Sequence, residues 1–235
     1  MFIIIDGIDG SGKSTILDSW ANELNTKGKK VFHLKKYWQK HLAHPTLEEL
    51  MDYDVIISAE PTHAWVGKAI REEMIQKGND YAMEDIASAY ALDRLILYKR
   101  LLNPLRDAGK IILQDRSVST SLCYQPLASD TISMEDIASL NGNVFALKHA
   151  PDHLVIADVD PEIAMTRLSG RIEKDDNAIF EKETFLKKAQ AQFLDKTFQS
   201  YFTKQGTHIH VLDCSPKLAI MKEQGNDLLH TLLAS

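Results

Sequence analysis

The strongest constraint on the fold lies in the first twenty-odd residues. The apolar run 2–5 ends in Asp6 and leads at once into Gly7-Ile8-Asp9-Gly10-Ser11-Gly12-Lys13-Ser14-Thr15, a complete G-x-x-x-x-G-K-[ST] pattern. After it, Ile16, Leu17, Trp20 and Leu24 recur at helical spacing. A strand, a glycine-rich turn and a helix in this order make an anion cradle. The glycines let the backbone curl with its N–H groups turned inward, and the helix adds the positive end of its dipole. Lys13 is positioned to reach the β and γ phosphates of a nucleoside triphosphate, and Ser14 to ligand the Mg²⁺ that bridges them. Gly7 through Thr15 are therefore expected around those phosphates.

Beyond the loop, short β-branched runs recur between longer helical stretches at residues 31–34, 55–57, 111–113, 154–159 and 209–212. This alternation predicts an α/β fold, three layers α/β/α around a parallel sheet of five strands, with 31–34 ambiguous as a second strand. Three runs close on a carboxylate, Asp6, Asp115 and Asp213, which puts polar chemistry at the strand ends where open α/β sheets bind ligands. No repeat, low-complexity tract or Pro/Gly/Ser-rich linker divides the 235 residues, so they read as one domain. Residues 35–54, with Tyr37, Trp38, His41 and His44, read as a helical insertion or an edge loop. The charged stretch 168–183 reads as a mobile lid or a solvated helix face.

Composition removes several function classes. With 27 Lys and Arg against 33 Asp and Glu, the net charge of −6 argues against a dedicated grip on a nucleic-acid polymer. No window approaches the apolar length of a membrane span, and Met1 to Asp6 carry no basic segment or cleavage site, which predicts an uncleaved cytoplasmic protein. Cys123 and Cys214 lack metal or disulfide-framework spacing. The pairs His41/His44 and His208/His210 each lack a third ligand.

Triphosphate binding alone does not separate a motor, a switch, an ATPase and a small-molecule kinase. Two further elements bear on the choice. Residues 111–117 read as a buried strand that delivers Asp115 and Arg116 together to the ligand edge. Asp115 suits a Mg²⁺ shell and Arg116 a bidentate phosphate grip, the bland alternative being a strand-end ion pair. In the helical stretch 83–102, Arg94 follows Tyr90 by four residues, which stacks them about 6 Å apart. An aromatic plate and a guanidinium so placed can address a base and its 5′-phosphate; a core tyrosine beside a surface salt bridge is the alternative.

Taken together, these residues resemble the thymidylate kinases, within the P-loop nucleoside monophosphate kinases, over nearly the whole chain. The resemblance rests on the loop with Asp9, on Glu60-Pro61-Thr62 leading to Gly67-Lys68-Ala69-Ile70-Arg71, on Tyr90-Ala91-Leu92-Asp93-Arg94, and on Asp115-Arg116 with residues 117–125. It continues through Asp158-Val159-Asp160-Pro161, the helix carrying Arg167 and Arg171, and Phe180-Glu181. It implies a P-loop NTPase fold, ATP as donor, Mg²⁺, dTMP as acceptor and a homodimer formed through helices. By the same resemblance Asp9 holds the acceptor's sugar hydroxyl, Arg94 and Arg116 grip its phosphate, and Tyr90 stacks on thymine. Glu60, Pro61, Ser121, Tyr124 and Gln125 complete the acceptor pocket. Asp9, Lys13, Arg94, Asp115, Arg116 and Arg171 form the catalytic set, Ser14 and Asp115 the metal ligands. Because Gly10 and Ser11 leave the loop without an arginine, Arg171, then Arg167, is expected to supply one from the lid.

The chain departs from the family at Ala59, where many bacterial members have Arg, at Ser117, and in the length of residues 35–54. These departures leave open an acceptor other than dTMP, either another deoxynucleoside monophosphate or a deoxynucleoside. A nucleotide-binding regulatory protein without acceptor chemistry is the reading from another class.

Overall fold

The apolar runs become strands β1 (Phe2–Asp6), β2 (Val31–His33), β3 (Val55–Ala59), β4 (Ile111–Asp115), β5 (His153–Asp158) and β6 (His208–Asp213). In the computed structural model, which describes residues 1–170 and 183–234, they form one parallel sheet in the order β2-β3-β4-β1-β5-β6. The sheet thus has six strands rather than the expected five. The ambiguous run pairs as a three-residue edge strand, Val31 opposite Val55 and His33 opposite Ile57, and a helix begins at the next residue. Every residue of β1 is buried, as are the first five of β5. Unbroken burial along a strand requires cover on both faces, which gives the expected α/β/α layering.

On this frame α1 (Lys13–Thr26) packs against α13 (Leu218–Leu233), where Trp20 Nε1 donates to Gly225 O at 2.7 Å. Residues 35–54 are mostly helical: α2 (Leu34–His41) packs on β3, and α3 (Leu47–Leu50) starts at Thr46, which exchanges capping hydrogen bonds with Glu49. Trp38 is fully buried and its Nε1 donates to His44 Nδ1 at 3.1 Å. The stretch 83–102 folds as α5 (Met83–Leu97) followed by a π-helical turn, Tyr98–Leu102. Among the described residues no helix is long and apolar enough to cross a membrane.

Register fixes where ligands can meet the sheet. Ile5 lies opposite Asp115 and Asp115 opposite Ala59, so the carboxyl ends of β1, β4 and β3 stand side by side. The chain runs out from β1 to β2, returns through β3 to β4, then crosses to β5 and β6, and the crevice around the end of β1 is the switch point where such sheets bind ligands.

Burial, with a smaller push from Arg100, lowers the His44 imidazole to about 4. Between about 6.5 and about 4 the unfolded chain therefore takes up a proton that the folded protein refuses, and stability falls as pH drops through that window. Thermal melts should show a loss of stability from pH 7 to pH 5 that shrinks in His44→Phe. An equal loss in both proteins would contradict this.

Candidate active site

The loop after β1 is shaped as its sequence requires. Gly10 sits at φ 81°, and a Cβ there would lie 2.5 Å from Ala164 O in α10 (Pro161–Ser169), so only glycine fits. Gly12, at φ 98°, leads into α1. Lys13 is 6% exposed, and its Nζ donates to Gly7 O (2.9 Å), Ile8 O (2.7 Å) and Ser11 Oγ (3.3 Å). Its ammonium thus lies folded into the cradle. Burial and then Arg116 push it down to about 8, while Asp115, Asp9 and Asp6 pull it back.

Asp6, noted in the sequence only as a strand end, anchors the arrangement. Fully buried, it accepts from Gly7 N (2.8 Å), Ser119 Oγ (2.5 Å) and Thr120 Oγ1 (2.7 Å to Oδ2), joining the loop to the first turn of α7 (Val118–Ala128). At the end of β4, Ser14 Oγ donates to Asp115 Oδ2 at 2.9 Å. Asp115 Oδ1 is buried with no hydrogen-bond partner among the described residues. An unmatched carboxylate oxygen beside a hydroxyl is a donor set that fits a hard divalent cation such as Mg²⁺.

Arg116 turns back over the loop from a left-handed backbone (φ 64°). Its Nη2 donates to Asp9 Oδ1 (2.5 Å), Nη1 to Thr120 Oγ1 (3.2 Å), and its guanidinium lies 5.6 Å from the Tyr124 ring centre. Asp9 N in turn donates to the Tyr124 hydroxyl at 3.0 Å. Asp9, Arg116 and Tyr124 are therefore one assembly, brought together from β1, β4 and α7. Asp9 and Arg116 line a cavity of ≈ 1110 Å³ whose wall also includes Lys13, Glu60, Arg71 and Asp115.

Arg94 has a different setting. It is 1% exposed and each guanidinium nitrogen is engaged: Nε with Glu60 Oε2 (2.7 Å), Nη2 with Ser121 Oγ (3.0 Å), and Nη1 with Asn143 Oδ1. Arg94 is thus enclosed by side-chain partners, whereas Arg116 stands at the cavity wall. Burial drives the Glu60 carboxyl up to about 7, although Arg94 pulls it down. Tyr90 lies within the fields of Arg71, Arg116 and Arg94, its hydroxyl pushed up by burial. Gln125, one turn beyond Ser121, is buried with Oε1 unmatched among the described residues. Pro61 follows Glu60 through a cis peptide, and its carbonyl accepts from Arg71 Nη2 at 2.5 Å. Asp93 holds this segment by accepting from Thr62 N (2.8 Å) and Thr62 Oγ1 (2.7 Å). Ser117 points into the core, 3.2 Å from the Tyr98 hydroxyl.

A second cavity of ≈ 490 Å³ opens on the other side of the loop, lined by Gly10, Gly12, Thr15, Arg167, Lys217 and Met221 among others. Arg167 Nη2 donates to Cys214 O at 2.9 Å, while its Nη1 is buried without a partner among the described residues. Residues 171–182, and with them Arg171, Phe180 and Glu181, lie outside the described residues. Sequence reasoning passed over Asp6, Asp93 and Asn143 as site supports, and quoted Arg71 in a motif without giving it a role. Asp6 and Asp93 carried a signal, a carboxylate at a strand end and one on an otherwise apolar helix face; Asn143 carried none.

Comparison with known proteins bears on the same geometry. A family model described as thymidylate kinase matches residues 39–224. The chain is 29% identical over 232 residues to a probable thymidylate kinase of Methanobrevibacter smithii, covering 96% of each. It is 29% identical over 214 residues to a thymidylate kinase of Thermosipho africanus, covering 88% of this chain and 90% of that one. A probable thymidylate kinase of Thermococcus kodakarensis is 30% identical over 203 residues, 81% of this chain and 84% of the relative. The family match begins beyond the phosphate loop, so the loop's geometry is an observation separate from it.

The low Lys13 value has a measurable consequence. A bound phosphate selects the ammonium form, so ATP affinity should be nearly flat below about 8 and weaken by roughly tenfold per pH unit above it. Titration of ATP binding by calorimetry from pH 6.5 to 9.5 tests this, with Lys13→Arg, whose guanidinium does not titrate, removing the slope. A wild-type slope that survives in Lys13→Arg would assign it to another group.

Proposed function

The chain belongs to the thymidylate kinase family and carries its activity, transfer of the γ-phosphoryl group of ATP to dTMP, and we propose that the crevice at the ends of β1, β3 and β4 is where it does so. The observation that carries this reading is the convergence of Lys13, Asp9, Arg116 and Asp115 on one cavity. In the reaction an oxygen of the acceptor's phosphate forms a bond to the γ phosphorus. The bond from that phosphorus to the bridging oxygen breaks, and ADP leaves with the electron pair. Such a transfer needs little covalent help from the protein; it needs two anions aligned and their charge offset.

In this reading the loop N–H groups and Lys13 hold the donor's phosphates, and the cavity beside Arg167 receives its base. Ser14 and Asp115 hold Mg²⁺, which offsets the charge of the β and γ phosphates when bound. Arg116 grips the acceptor's phosphate, kept in place by Asp9 and Thr120. The buried Arg94 is matched in charge by Glu60, and a neutralised pair of this kind suits an uncharged nucleobase better than a dianion. We therefore assign Arg94, with Tyr90, Ser121 and Gln125, to the base end of the acceptor, and Arg71 to the cavity wall between. Arg171 keeps the lid role on the strength of the sequence alone.

Initial rates of ADP formation with Mg·ATP across dTMP, dUMP, dCMP, dAMP, dGMP, UMP and thymidine test the reading. A clear preference for dTMP is expected, abolished in Lys13→Ala, with Arg116→Ala lowering kcat/KM for dTMP on the order of a hundredfold. Turnover of another acceptor would move the specificity assignment. ADP formed at the same rate without acceptor would overturn it.

We also propose a homodimer. Between α7 and α5, α7 buries Val118, Leu122, Cys123 and Tyr124 within the chain, whereas α5 leaves Leu92 49% exposed. Sedimentation should give a dimer for the wild type and a monomer for Leu92→Glu; two dimers or two monomers would reject this face.

A further inference from the structure

Asn143 belongs to none of the sequence motifs and lies on α9 (Asn141–Lys148), which packs against α5. It is fully buried, yet both ends of its amide are used. Oδ1 accepts from Arg94 Nη1, and Nδ2 donates to Ile137 O at 2.7 Å, near the end of α8 (Met134–Ser139). The residue before it explains how the amide reaches so far in. At Gly142 a Cβ would stand 1.8 Å from Ala91 O, so the first turn of α9 rests directly on the backbone of α5 at a separation only glycine allows. Ala91 and Arg94 are three apart on α5 and share that face. Gly142 therefore sets the distance between the helices, and Asn143 uses it.

Consider what Arg94 lacks without this contact. Glu60 and Ser121 take Nε and Nη2, from the end of β3 and from α7. A planar fork held at two nitrogens can still tilt about them. The third bond, from α9, fixes the plane. Ser121 is itself one turn from Gln125, so the plane of Arg94 and the face of α7 are set against each other.

We propose that Asn143 is a positioning residue for the acceptor nucleotide: by fixing the Arg94 guanidinium through α9, it sets recognition of the acceptor while leaving ATP binding untouched. The inference rests on the assignment of Arg94 to the base end of the acceptor. It makes the α8–α9 segment part of the specificity apparatus without any contact to either substrate.

The test is a two-substrate comparison of wild type with Asn143→Leu, Asn143→Asp and Arg94→Lys, the last a control on the underlying assignment. Asn143→Leu keeps the volume and removes both hydrogen bonds. It should raise KM for dTMP by roughly ten- to a hundredfold, the effect of losing one buried charge-assisted bond, with KM for ATP changed less than about twofold. Asn143→Asp keeps an oxygen acceptor for Nη1 and should stay within about threefold of wild type for dTMP. A merely structural role would lower the melting temperature and the active fraction, and so kcat, with KM for dTMP unmoved or with both KM values moved together; either result overturns the proposal. If Asn143→Leu does not fold, Asn143→Ser, too short to reach Arg94, decides by the same two KM values. Should Arg94→Lys leave KM for dTMP unchanged, the assignment of Arg94 fails. Should it raise that KM while no Asn143 variant does, the inference alone fails.

Discussion

A loop that binds phosphate must be made of inward-facing N–H groups, and such a loop has no regular hydrogen bonds of its own to hold it. Its shape has to be imposed from outside. Here the fully buried carboxylate of Asp6 does much of this, receiving Gly7 N from one side and the hydroxyls of Ser119 and Thr120 from the other. A buried carboxylate is costly unless it is matched. Four hydrogen-bond contacts and Arg116 at 3.7 Å match it, and the requirement to match it draws α7 up to the loop. Once α7 is there, Tyr124 meets Asp9 and Ser121 meets Arg94. The wall around Arg94 and Ser121 is thus ordered by the same group that orders the loop.

Charge is distributed unevenly between the two halves. Around the loop, Asp6, Asp9 and Asp115 face Lys13 and Arg116, and the fields are strong enough that the lysine loses much of its basicity to burial and keeps the rest through its carboxylate neighbours. At the back wall, Glu60 and Arg94 cancel one another in a dry environment. Removing one partner of such a pair typically costs about 3–5 kcal/mol, because the other is left charged and unmatched. One half thus concentrates charge of both signs, and the other holds a pair that cancels.

The sequence exposed what is local. Loop, following helix and strand-end carboxylates all follow from spacing within a few residues, and each lies where the pattern put it. What escaped was set by partners distant in the chain. The guanidinium of Arg94 was visible; the carboxylate that neutralises it is 34 residues upstream and the amide that completes it 49 residues downstream, so nothing near Arg94 announced the partners that hold it. The second strand was ambiguous for a related reason. Three residues followed at once by a helix are too few to show alternation, and only pairing with β3 makes them a strand. Residues 35–54 announced their aromatic content but not that Trp38 and His44 would bond to each other inside it.

The strand order carries a consequence for how the protein comes to exist. β1 is made first, but its two neighbours are β4 and β5, which begin at Ile111 and His153. As the chain leaves the ribosome, its most apolar strand and the loop attached to it must wait unpaired until synthesis has passed β4, and keep one open edge until it has passed β5. Meanwhile β2 and β3, neighbours in sequence and in space, can already associate. The nucleotide site is therefore among the last parts to assemble although its signature is read first, and a ribosome stalled before β5 holds a nascent chain with an exposed hydrophobic strand and no competence to bind nucleotide.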